Sequence, residues 1–426
     1  MLKTRGYLRI GRLLGICAGL LIHPASHAEE ASWIDDHLVI KGFGTLGLAR
    51  SDNDAAEYVR DLSQPRGLTT NWSSKVDSLL GLQANLKLGE QTEGVLQLIS
   101  RYRYDSSYRP EISWAFLRHD FTPDFQMRVG RLGTEFYMLA DSRLIGYANL
   151  TVRPPPDFYG PLIFSYFDGI DATASMGIGN DLLRAKLFLG KSPETTPFYG
   201  PITWDLDGSR LFGGHLDYFT GPWQFRLAHA EVRFSSHEAP LNALINQFIV
   251  TDPFLSTLIP VPINLTTLIP ELSMVRKTSK FDSFGVVYDK GPLQVQMMLG
   301  RIRHESESYE DSRAGFITAA YRVGKFTPYI GYSKAKSKAS NISTIPATAW
   351  GPLLVQIVSS ELTPSTHMDQ HTYTFGARWD FRQNWALKVQ YDNVRGSQRS
   401  NILFRGTDNQ WNGRLKVLSV SLDFAF

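Results

Sequence analysis

The chain has 426 residues, with 44 Lys+Arg against 41 Asp+Glu, a single Cys, 35 Gly, 25 Phe, 18 Tyr and 9 Trp. So even a charge balance, with no long basic tract, excludes a broad nucleic-acid-binding face, and one cysteine excludes an intramolecular disulfide. No run of about 18 apolar residues occurs, so no helical membrane span is expected; glycine, aromatics and short alternating runs together are the diffuse signature of a transmembrane β-barrel.

The first segment reads as an export signal. Lys3, Arg5, Arg9 and Arg12 form a basic start, Leu13 to Ile22 is apolar, and Ser26-His27-Ala28 offers small residues where a signal peptidase reads them. Cleavage after Ala28 is expected, followed by a short segment 29–36 and one barrel domain over 37–426. The signal would carry away four basic residues, leaving 40 against 41 acids, together with Cys17. Ile16 stands where a lipidation signal wants a small residue, which argues against a lipid anchor.

Strands follow from a period of two. Leu418, Val420, Leu422, Phe424 and Phe426 alternate with Ser419, Ser421, Asp423 and Ala425, giving one apolar and one polar face. Tyr373 to Phe381 and Leu387 to Tyr391 repeat the pattern. A soluble sandwich also alternates, but Trp and Phe at the ends of apolar faces suit a lipid interface better. Tight-turn chemistry occurs at Gly89-Glu90-Gln91, Thr122-Pro123-Asp124, Gly179-Asn180-Asp181, Thr220-Gly221-Pro222, Asp289-Lys290-Gly291, Val323-Gly324-Lys325 and Arg382-Gln383-Asn384. Seven turns and two terminal strands give roughly sixteen strands, eighteen if a long loop hides a hairpin. Short turns are assigned to the periplasmic side and the long connections to the outside.

Two connections stand out. Leu132 to Ser165 links the fifth and sixth strands. Ala239 to Val275 is apolar and proline-broken, with only Asp252 and Glu271 as charges; it reads as a short helix over the barrel mouth or a contact with another subunit, since apolar patches of that size are rarely left in water.

Catalytic and metal signals are weak. His367 and His371 in HMDQH lack the glutamate and the helix that a zinc motif needs. Asp52, Asn53, Asp54 and Glu57 lack the glycine of a calcium loop. No G-x-S-x-G string occurs. No cofactor, metal or nucleic-acid partner is expected, and an enzyme or adhesin is the remote alternative.

IKGFGTLGLARSDND, DSLLGLQANLKL, PEISWAFLRHDFTPDFQMRVGRL, YANLTVRPP and the terminal LSVSLDFAF resemble, in this order, the Gram-negative general porins. The resemblance implies a sixteen-stranded barrel, a homotrimer, a third loop folded into the lumen, and Phe426 as a signal to the outer-membrane assembly machinery. It also implies that Arg131 in VGRL precedes the third loop, which then carries Glu135, Asp141, Arg143 and Arg153. Parity points Lys87, Arg101, Arg103, Arg128, Arg184, Lys186, Arg226, Arg322, Arg378 and Lys388 inward, with Asp77, Asp171, Asp217, Asp380, Asp392 and Asp423. The expected constriction therefore sets Arg101, Arg103, Arg128 and Arg131 against the loop charges Glu135, Asp141, Arg143 and Arg153. The expected function is passive diffusion of small polar solutes and ions with a weak anion preference. A channel dedicated to a sugar, organic acid or phosphate is the alternative.

Overall fold

The computed structural model describes residues 37–199, 202–235, 270–340, 342–343, 367–400 and 403–426. The expected signal and most of the apolar segment 239–275 lie outside these residues.

Sixteen antiparallel strands close into one barrel: β1 (Leu38–Ser51), β2 (Leu79–Lys87), β3 (Thr92–Arg101), β4 (Glu111–Thr122), β5 (Phe125–Gly133), β6 (Tyr166–Ile178), β7 (Asp181–Lys191), β8 (Arg210–Thr220), β9 (Trp223–Arg233), β10 (Thr278–Lys290), β11 (Leu293–His304), β12 (Ser312–Tyr321), β13 (Phe326–Ser337), β14 (Asp369–Arg382), β15 (Trp385–Gly396) and β16 (Arg414–Ala425). Each strand pairs with its chain neighbour, and β16 closes on β1 with Leu422 opposite Leu46 and Asp423 opposite Thr45. Gly42 and the terminal Phe426 exchange both backbone hydrogen bonds at 2.8 Å. Closure leaves no strand edge whose polar groups would face hydrocarbon, where each costs several kcal/mol.

All seven expected turns join consecutive strands at one end. Gly221 (φ +50°) and Asn384 (φ +62°) take the left-handed backbone that such turns demand. The expected alternation holds: Ser419, Ser421 and Asp423 are buried in the interior, while Leu46, Leu48, Leu418 and Phe426 are exposed on the outer wall. Near the turn end the outer wall carries aromatic pairs, Phe326 stacked on Trp379 at 5.5 Å and Trp385 on Phe424 at 5.1 Å. Rings that are apolar over most of their surface favour the lipid–water boundary.

At the other end the loops cover the barrel. The first loop (52–78) pairs through Glu57–Tyr58 with Phe404–Arg405 of the last loop. Tyr58, Val59, Leu68, Leu403, Phe404 and Trp411 form an apolar cluster there with Val394, Leu415 and Val417 from the wall.

Candidate functional site: the lumen and its third loop

The third loop spans 134–165. Its neck is closed by Thr134, which donates from its backbone N–H to Ser165 O (3.0 Å) and from its hydroxyl to Phe164 O (2.8 Å). From that neck the loop crosses the lumen and is held on both sides.

One side is apolar. Phe136 packs against Phe281 of β10 (4.9 Å) and Phe188 of β7 (5.9 Å). Phe158 packs against Phe316 of β12 (5.3 Å) and Tyr137 (4.7 Å). Tyr159 donates its hydroxyl to Met138 O (2.6 Å). Ala230, Val232, Met298 and Ile302 complete this cluster from the inner wall. Here the inward residues are not the water-facing polar set that parity alone implies, because loop aromatics cover them.

The opposite side is polar. A short turn at Gly146–Ala148 rests on β1 and β16. A Cβ on Gly146 would fall 2.1 Å from Thr45 Oγ1 and 2.2 Å from Asp423 Oδ1, so only glycine fits there. Lys388 of β15 donates to the carbonyls of Gly146 (2.8 Å), Asn149 (2.7 Å) and Thr151 (3.0 Å). Arg378 of β14 donates to Tyr147 O (2.8 Å) and Asn149 O (3.0 Å). Arg153, fully buried, binds Asp77 (2.8 and 2.6 Å), Asp392 (3.1 Å) and Ser419 (2.6 Å). Asp157, at the start of the four-residue helix α1 (Pro156–Tyr159), accepts from Ser333 and Gln370, each at 2.6 Å.

Glu135 sits at the loop neck among basic wall residues. It binds Lys186 of β7, His215 of β8 (3.0 Å) and Arg128 of β5 (3.3 Å), with Arg226 of β9 at 3.8 Å. Burial raises its carboxyl, but Lys186, His215 and Arg128 more than reverse this and hold it well below the usual range. Asp141 moves the other way, raised by burial and by Glu135 against the pull of Lys186 and Arg226.

Toward the short turns a polar cavity of about 520 Å³ opens. Its cations are Arg118, Arg184, Lys186 and Arg226; its acids include Asp120, Asp124, Glu135 and Asp217. Arg118 pairs with Glu93 and Asp120, Arg226 with Asp217, and Lys186 with Glu135. Arg184 instead lies over the Phe219 ring at 5.4 Å. Among the described residues it has no carboxylate partner.

The expected constriction set is thus dispersed. Arg128 and Glu135 meet as neighbours. Arg101 and Arg103 lie nearer the loop end, on Glu111 (3.1 and 3.6 Å), with Arg101 also 4.0 Å from Asp61. Glu111 opens β4 at that end, and its carboxylate draws both arginines to the mouth. Arg131 faces outward, because the strand alternation that sends Arg128 and Leu132 inward puts it on the other face; it pairs there with Asp168 (2.7 Å). Arg143 and Arg153 are buried rather than water-lining. The Arg143 guanidinium binds Phe164 O (3.4 Å) and Ser165 Oγ (2.9 Å) inside the loop. His215, Glu111 and Asp157 escaped sequence reasoning; parity with Asp217 was the available signal for His215.

His367 lies 2.7 Å from Glu310, while His371 packs on Tyr332 and Tyr373. Asp54 binds Thr70, Glu57 binds Arg66, and Asp52 lies 3.9 Å from Lys416. Each acid has its own partner and none converges on a common centre.

The closed barrel is a fold already seen in solved structures. Three solved structures share it: the anion-selective porin from Comamonas acidovorans (13% identity, TM-score 0.52, covering 91% of this chain and 99% of that one), OmpF of Salmonella typhi in complex with daunomycin (10%, 0.54, 91% and 97%), and OprB of Pseudomonas putida at high pH (8%, 0.53, 93% and 96%). No protein-family model and no curated protein matches the sequence.

Proposed function

We propose that this protein is an outer-membrane porin, exported by the N-terminal signal and assembled as a homotrimer, through which small polar solutes and ions diffuse passively. The observation that carries this reading is the polar cavity of about 520 Å³ inside a closed barrel, beneath an inward-folded third loop. Membrane barrels with apolar outer walls and polar interiors conduct through the interior. A loop fixed on two walls narrows the lumen, so small unit conductance is expected. A weak anion preference is assigned to Arg184, the cavity cation without a carboxylate, since fixed charges lining a pore set ion preference. Arg101 and Arg103 contribute little to it, because Glu111 and Asp61 neutralise them.

The experiment is planar-bilayer recording with a salt gradient. Stepwise ohmic currents with a reversal potential on the anion side support the reading, and clear cation selectivity contradicts the anion assignment. A channel dedicated to one sugar, organic acid or phosphate would instead show saturable block by that solute. A monomer in native mass spectrometry from mild detergent contradicts the trimer.

A further inference from the structure

The cavity below the third loop holds two uncompensated charges, one of each sign. Among the described residues Arg184 of β7 has no carboxylate partner, and Asp124, in the turn between β4 and β5, has no cationic one. The other cations of this space are occupied: Arg118 by Glu93 and Asp120, Lys186 by Glu135, and Arg226 by Asp217.

The strand register fixes where the two free charges stand. Ser175 of β6 donates its backbone N–H to Asp124 O (2.8 Å) on one side and pairs across the strands with Arg184 on the other. Asp124 and Arg184 are therefore two strand spacings apart, about 10 Å. One step toward the third loop, on the same wall, Thr173 is buried with its hydroxyl oxygen unpartnered. Its cross-strand neighbour on β5 is Gln126. A buried hydroxyl that has lost water without gaining a partner is unfavourable, so it marks a place for a ligand group.

This arrangement selects a class of solute. A simple anion meets Arg184 but leaves Asp124 unpaired and close by. A molecule with a carboxylate at one end and an ammonium at the other satisfies both. Guanidinium binds carboxylate through two parallel charge-assisted hydrogen bonds, and Asp124 accepts from ammonium. The two charges of a single α-amino acid are too close to reach both groups. Three extended residues span about 10 Å, and their peptide groups offer donors and acceptors to Thr173, Ser175 and Gln126. The cavity of about 520 Å³ falls within the roughly 300–1,000 Å³ of small-ligand sites.

We propose that this wall of the lumen is a binding site for short zwitterionic peptides, with the peptide carboxylate on Arg184 and its ammonium on Asp124. The proposal rests on the channel reading above, because the peptide arrives through the lumen. Salt screens the exposed Asp124 from ions passing beyond about 8 Å, but not from an ammonium in contact with it. Arg184 therefore still sets the preference among simple ions.

The full-length protein is recorded in planar bilayers in potassium chloride with triglycine, N-acetyl-triglycine and triglycine amide. Triglycine should block the current saturably, at a concentration about tenfold lower than either capped form, since each cap removes one ion contact. In Arg184→Gln the amide cap should no longer matter while the acetyl cap still does. In Asp124→Asn the reverse should hold, and Arg184→Lys should keep both distinctions. Glycine should block no better than the capped peptides. Equal block by the three peptides in the parent overturns the proposal, as does loss of both distinctions, or of neither, in each of Arg184→Gln and Asp124→Asn. Block by glycine or inorganic phosphate equal to that by triglycine overturns it too. If potassium chloride carries no current, the channel reading alone fails, and calorimetric titration of the detergent-solubilised protein with the same three peptides decides the site by the same criterion.

Discussion

Lys388 and Asp423 lie 3.1 Å apart with both side chains shut off from water, on neighbouring strands inside the barrel. Parity alone places them in an aqueous lumen. The third loop covers them, and Lys388 holds that loop by three carbonyls. Replacing Lys388 with Met leaves Asp423 buried beside an uncompensated loop, a change that costs roughly 3–5 kcal/mol when one partner of a buried pair is removed. The loss falls on the loop seam, because barrel hydrogen bonds are untouched. Lys388→Met should therefore leave the strand content by circular dichroism unchanged while raising unit conductance and current noise. Unchanged conductance would show that the loop does not depend on this anchor.

Arg153 makes the stronger version of the same point. Its guanidinium joins the loop to Asp77, Asp392 and Ser419. Arg153→Met should free the segment around Thr151 and Val152, and proteolysis within the third loop should then become detectable where the parent resists it.

Facing on the lipid side has its own test. Leu422 pairs with Leu46 and Leu387 on the outer wall, between the interior residues Ser421 and Asp423. A lysine there costs about 2–4 kcal/mol near the bilayer midplane. Leu422→Lys should lower the folded fraction in urea-titrated vesicle refolding, and assembly equal to the parent would contradict the assigned facing.

Ion preference should follow pairing rather than simple position. Arg184→Gln is expected to move the reversal potential toward zero. Arg101→Gln with Arg103→Gln should move it far less, since those arginines share Glu111, and Arg131→Gln should leave it unchanged because Arg131 faces outward. A large shift from Arg131→Gln would place that side chain in the lumen.

Stability should carry a pH signature from Glu194, in the loop after β7. Burial pushes its carboxyl up to about 7 from 4.5, helped by Glu111 and opposed by Arg143 and by the backbone N–H groups of Ser165 (2.7 Å) and Tyr166 (3.3 Å). The folded protein thus binds this proton more tightly than the unfolded chain. Its stabilising effect is present below pH 4.5 and is lost as the pH rises to about 7, amounting to roughly 3 kcal/mol. Glu194→Gln should flatten the stability profile between these values and make the protein more stable than the parent at pH 8. Parallel profiles for the two proteins would contradict the shift.

The strands and turns were legible because they follow from local chemistry. The period of two at Leu418 to Phe426 and the turn residues at Gly221 and Asn384 act over a few residues, so chain order alone reveals them. Parity also gave the inward direction of Arg128, Lys186 and Lys388. What it could not give was cover. Whether Lys388 meets water depends on Gly146, 242 residues earlier in the chain, and whether Arg101 is free depends on Asp61 and Glu111. Arg131 differs in kind: the resemblance carried by VGRL implies a place beside the third loop, whereas the strand alternation sends its side chain outward to Asp168.

Under the proposed function, water and small solutes pass through the interior past a fixed third loop. Swelling of protein-loaded liposomes in a series of neutral sugars of increasing size measures this directly. For a diffusive channel, swelling should be fastest for the smallest sugar, fall smoothly with size, not saturate, and extend to larger sugars in Lys388→Met. Swelling no faster than that of protein-free liposomes would contradict it.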